Sequence, residues 1–115
     1  MKKTILTILM ATAMLNATNH YTKGREAYIK GEYFNALKEF HLSARRHNSN
    51  AYMELGLMYE KGIGTKANGM MALYWYEKAK NRGNSYAKAK LTPSFIKELE
   101  NQSNKIEIST EDNDY

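Results

Sequence analysis

The sequence predicts an all-α fold of stacked helical hairpins, and three observations predict it. Small and apolar residues recur at helical spacing, as Ala51, Leu55, Gly56 and Tyr59 do. A single proline and few β-branched residues argue against a sheet. Like residues stand 36 positions apart: Ala36 and Ala72, Phe40 and Tyr76, Ala51 and Ala87, Leu55 and Leu91. A fixed period of that length marks a solenoid, in which each unit buries its apolar face against the next. With 115 residues and no cysteine, the chain allows one small domain held by packing, without a disulfide or a cysteine-ligated metal.

Residues 1–17 open with Lys2-Lys3, continue as an apolar run from Thr4 to Leu15 and end in small residues, the pattern of a secretory signal peptide. Cleavage after Ala17 or after Ala13 fits that pattern. The run is shorter than the roughly 20 residues a bilayer span needs, so membrane contact is expected only in transit. The mature protein is expected in the periplasm or outside the cell. Residues 18–50 form a first hairpin, with Gly24, Ala27, Tyr28, Gly31, Tyr33, Ala36, Phe40 and Ser43 or Ala44 as its packing positions. Residues 51–86 form a second. Gly62, Gly64 and Gly69 break it into two helices, because glycine takes left-handed backbone angles without steric penalty. The inward positions of its second helix are Ala72, Trp75 or Tyr76, and Ala79. Asn48-Ser49 and Asn84-Ser85 precede helices and can cap their free N–H groups. Residues 87–102 are a partial repeat followed by a capping helix that starts after Thr92-Pro93 and turns Phe95, Ile96 and Leu99 to one side. Residues 103–115 carry Glu107, Glu111, Asp112 and Asp114 with little apolar content and are expected to be a disordered tail.

The pattern A-x-x-x-L-G-x-x-Y-x-x-G-x-G, then A-x-x-W-Y-x-K-A, then G-x-x-x-A, resembles the Sel1-like repeat family, a branch of the tetratricopeptide-like solenoids. Ala51, Leu55, Gly56, Tyr59, Gly62, Gly64, Ala72, Trp75, Tyr76, Lys78, Ala79, Gly83 and Ala87 occupy its signature positions. Thr65, Asn68 and Met71 depart from the residues usual there. The stretch from Tyr21 to Arg46 looks like a tetratricopeptide repeat with a short turn. The resemblance implies a short right-handed α-α superhelix that binds a protein or peptide partner along the first helix of each pair. By that implication Arg25, Tyr28, Asn50, Met53, Leu57 and Glu60 are the candidate partner-binding residues.

Other motifs carry less. Ser85-x-x-Lys88 and Ser94-x-x-Lys97 have the serine–lysine spacing of β-lactamases and penicillin-binding proteins, without the Ser-Asp-Asn or Lys-Thr-Gly companions. Cysteine-rich Sel1-like relatives carry a β-lactamase label, which makes a hydrolase the rival reading. This chain lacks their paired cysteines. His20, His41 and His47 show no metal-ligand spacing, and no cofactor is expected. Gly62-Ile-Gly64-Thr65-Lys66 follows a helix, whereas phosphate loops follow a strand. Residues 18–105 hold 15 Lys or Arg against 8 Asp or Glu, while the tail is acidic. Such a balance suits acidic partners, or a tail folded over its own basic groove. Lys78, Lys80, Arg82, Lys88 and Lys90 interleaved with rings could suggest nucleic acid, but the rings have core positions to fill and a solvated basic face is the simpler reading.

Overall fold

The computed structural model describes residues 2–111, with side chains described for 3–12 and 19–105. The described chain is helical without strands. It forms α1 (Lys2–Ile29), α2 (Tyr33–Arg45), α3 (Ser49–Lys61), α4 (Gly69–Asn81), α5 (Ser85–Lys90) and α6 (Pro93–Glu111). Helices α1 and α2 make the first hairpin and α3 and α4 the second, with α2 and α4 docking the unit that follows each.

Each hairpin closes on a glycine facing a ring. A Cβ at Gly24 would stand 2.7 Å from the Phe40 ring, and one at Gly56 would stand 2.6 Å from the Tyr76 ring. Only a residue without a side chain lets the paired helices meet at that distance. Phe40 and Tyr76 are fully buried beside Ala36 and Ala72, so small and large positions interlock as the 36-residue period predicts. Where the sequence left a choice between Trp75 and Tyr76, and between Ser43 and Ala44, both members of each pair are buried.

Three helix ends share one stop. Beyond α1, α2 and α4, Gly31, His47 and Gly83 take positive φ of 80°, 63° and 88°. The following amide in each case donates back five residues: Glu32 to Ala27, Asn48 to Ser43 and Asn84 to Ala79. That is the Schellman arrangement, which satisfies carbonyls left free at a helix end. Glu32 makes no side-chain cap for α2, but α3 and α5 are capped by asparagine: the Asn48 side chain accepts from the Asn50 amide and Asn84 from that of Ala87. Asn68 does the same for Met71 at the start of α4.

The third unit differs from a simple cap. Ala87, Leu91, Phe95 and Leu99 follow each other at intervals of four and stand 36 residues after Ala51, Leu55, Tyr59 and Ile63. Helices α5 and α6 are therefore one first helix of a repeat, broken where Pro93 removes an amide donor. Thr92 caps the restart by accepting from the Phe95 amide at 3.3 Å. Helix α6 runs antiparallel to α4: Phe95 meets Tyr76 with ring centroids 6.1 Å apart, Leu99 lies against Gly69, and the Ser103 hydroxyl accepts from the Met70 amide. The expected side of Phe95, Ile96 and Leu99 faces the core, with Leu99 2% exposed. The helix continues to Glu111, well into the stretch read from sequence as a disordered tail from Ser103, since no proline or glycine follows Pro93 to end it. Residues 112–115 lie outside the described residues.

At the other end α1 is continuous from Lys2 to Ile29. Ile5, Leu6, Ile8, Leu9 and Met10 are all exposed there, which stretches the molecule to 64 Å along its long axis. Among the described residues, no helix is long and apolar enough to cross a membrane.

Candidate partner-binding surface

The six residues expected to meet a partner come from α1 and α3, the first helices of the two hairpins. Arg25 and Asn50 are exposed, and Tyr28 and Leu57 are half-buried. Arg25 reaches across to α3, where its Nη1 lies 3.1 Å from Glu54 Oε1. Tyr21 directs its hydroxyl to the same carboxylate. Tyr28 packs edge-on against Tyr33 at 5.1 Å. Arg25 and Tyr21 thus join α1 to α3 in a seam with Glu54 at its centre. Sequence reasoning missed Glu54, because its partner lies 29 residues away and no spacing signals the pair.

Met53 and Glu60 are placed differently. Met53 is 9% exposed and belongs to the core. Glu60 accepts a 2.6 Å hydrogen bond from the Tyr76 hydroxyl and pairs with Lys90 Nζ at 3.2 Å. Three helices are thus tied by one carboxylate. Burial, then the bond to Glu60, pushes the Tyr76 hydroxyl far above the ordinary tyrosine range, so the phenol is a permanent donor. Beyond Glu60 a cleft of about 550 Å³ runs along α6, lined by Phe95, Glu98, Asn101, Gln102 and Lys105 among others.

The motifs considered for chemistry are dispersed. Ser85 and Lys88 are exposed on α5, and Lys97 is exposed on α6. Ser94 Oγ lies 3.2 Å from Thr92 Oγ1 within the restart of α6. Activating a serine needs a base held against it and shielded from water. Gly62 and Gly64 take φ of 69° and 75° in the α3–α4 turn, and Gly64 packs on the Tyr33 carbonyl at the start of α2. That loop seals one hairpin on the next. Among the described residues no three His, Cys, Asp or Glu side chains gather as a metal site would require.

A second face, on α2 and α4, had only a partial signal in the sequence. His41 Nε2 lies 3.0 Å from the Tyr59 hydroxyl, and the His41 ring meets Trp75 edge-on at 5.6 Å. Burial, then the neighbouring Arg45 charge, lowers the His41 pKa below the ordinary histidine value. Lys78 Nζ stands 5.2 to 5.4 Å from the ring centres of Tyr52, Tyr74 and Trp75, a cation held by three π faces. The Trp75 Nε1 is buried without a hydrogen-bond partner.

Paired antiparallel helices that close on small residues, repeat at a fixed period and present an exposed seam define an α-helical repeat module. Residues 49–84 match the family described as the Sel1 repeat, so this stretch of the chain is a Sel1-like repeat. No curated protein and no solved structure matches the chain. A Sel1 repeat is a helical module of protein interaction.

Proposed function

We propose that the protein is an exported binding module that engages a protein or peptide across the α1–α3 seam and performs no chemistry. The observation that supports this most is the Sel1 repeat at 49–84, whose first helix carries Asn50 and Leu57 and meets Arg25 of α1 through Glu54; Tyr28 stands one turn further along α1. Met53 and Glu60 act indirectly in this reading: Met53 supports α3 from below, and Glu60 fixes it to α4 and α5. Export rests on the basic and apolar character of residues 1–17, and places the partner in the periplasm or outside the cell.

The test is recovery of a partner from periplasmic extract by the full chain and by an Arg25→Ala, Leu57→Ala variant. A partner retained by the first and lost by the second is expected. Equal recovery by both removes the seam from the interface. Mass spectrometry of the exported protein is expected to find an N-terminus near Thr18; an intact Met1 in the membrane fraction would instead mean a retained anchor. Incubation with a chromogenic β-lactam is expected to give no turnover, and turnover abolished by Ser85→Ala, Ser94→Ala would establish the hydrolase instead.

A further inference from the structure

Helix α2 turns Lys38, His41, Leu42 and Arg45 outward around a depression of about 240 Å³. Across Trp75 the same face continues onto α4 with Tyr74 and Lys78. Among the described residues, no carboxylate lies within 4 Å of Lys38, Arg45 or Lys78. The carboxylates borne by these two helices do not neutralise them. Glu39 is held 2.7 Å from His20 of α1, and Glu77 is exposed with no ion pair. Two cations, Lys38 and Arg45, therefore frame an apolar centre, where Leu42 is 36% exposed, and a third, Lys78, stands beyond Trp75 on the same face. The frame is pre-organised. Lys78 is held over three rings and His41 is wedged between Tyr59 and Trp75, so these two side chains have little entropy left to lose on binding.

We infer that this α2–α4 face binds an acidic protein segment whose carboxylates bracket an apolar side chain seated on Leu42. Lys38 and Arg45 are seven residues apart on one helix, about 10.5 Å along its axis. An extended chain covers that distance in roughly three residue steps, so carboxylates three positions apart, with a leucine or phenylalanine between them, meet both cations at once. Arg45 brings a planar fork suited to a carboxylate, while Lys38 and Lys78 act as point charges. The inference rests on the reading of the chain as a protein-binding module, and names the partner chemistry of a face separate from the α1–α3 seam.

The experiment selects from a displayed random-peptide library on the folded full chain, then titrates the enriched peptides into it while following Trp75, the only tryptophan. Acidic peptides carrying a leucine or phenylalanine are expected, with a Trp75 emission change and affinity that weakens with added salt. Lys38→Glu, Arg45→Glu is expected to weaken them at least tenfold and Lys78→Gln several-fold, with unchanged helical circular dichroism. Arg25→Ala, Leu57→Ala is expected to leave them bound. Enriched peptides without acidic character, or acidic peptides that bind the charge-reversed variant equally, overturn the inference. So does tighter, equally charge-dependent binding of an oligothymidylate or of phosphatidylserine vesicles, which would make the face one for nucleic acid or membrane. Peptides lost on Arg25→Ala, Leu57→Ala and kept by the charge-reversed variant overturn this face while leaving the binding-module reading in place; no enriched peptide on any variant removes both.

Discussion

Two histidines carry most of what is unusual at the scale of single residues. His47 holds a left-handed backbone at φ 63° where its counterpart 36 residues on is Gly83 at φ 88°. A side chain in that region costs about 1–2 kcal/mol, whereas glycine there adds roughly 0.4–1 kcal/mol of unfolded-state entropy to be lost. His47→Gly is therefore expected to stabilise the protein by about 0.5–1 kcal/mol in urea unfolding, and a loss of stability would mean that the exposed imidazole does something besides occupy the turn. His41 has its pKa lowered in the folded state by burial and Arg45. Its unfolded form binds a proton more readily, so its contribution to stability is full above the ordinary histidine pKa and declines as pH falls through that value. The drop in melting temperature between pH 8 and pH 5 is expected to be smaller in His41→Gln than in the wild type. A drop of equal size in both would show that His41 takes up its proton in the folded chain as readily as in the unfolded one.

At the scale of elements, the two hairpins were legible in the sequence because glycine and aromatic positions betray helix packing directly: Gly24 opposite Phe40 and Gly56 opposite Tyr76 recur in both units. The pair is sixteen residues apart in the first hairpin and twenty in the second, and the four-residue difference is the Gly62–Asn68 turn. What was not legible depends on where the chain returns. The seam residue Glu54 and the Glu60–Tyr76–Lys90 junction join helices through partners 16 to 30 residues away, and charged residues at such separations leave no periodic trace. The last helix was visible as a cap but not as the continuation of α5, since Pro93 signals a stop and conceals the register running through it. Helix α6 covers Tyr76 and Gly69, so truncation after Thr92 uncovers the α4 face and is expected to give an unfolded or self-associating product. Truncation after Asn104 keeps the Leu99 contact and the Ser103 cap of the Met70 amide; it is expected to melt as the full chain does. A cooperatively melting monomer ending at Thr92 would show that two hairpins suffice.

For the whole molecule, the question is whether so short an array unfolds as one body. In long solenoids each unit touches only its neighbours and cooperativity can break down. Here one core runs from Ala27 to Leu99 without interruption, and Glu60 alone joins three helices. A change at either end should then draw on the stability of the whole. Leu99→Ala removes a side chain that is 2% exposed and is expected to cost about 2–5 kcal/mol. Gly24→Ala drives a methyl into the Phe40 ring at the opposite end and is expected to cost about 1–3 kcal/mol. Against a total of roughly 5 kcal/mol for a domain of this size, either substitution suffices to bring unfolding close to ambient conditions. The discriminating measurement follows urea unfolding by Trp75 emission, which reports the second hairpin, and by helical circular dichroism, which reports the whole chain. Coincident curves are expected for wild type and for both variants, each shifted to lower urea. If Gly24→Ala moves the dichroism curve and leaves the Trp75 curve in place, the first hairpin unfolds separately, and the packing of α2 on α3 is too weak to make the array one cooperative body.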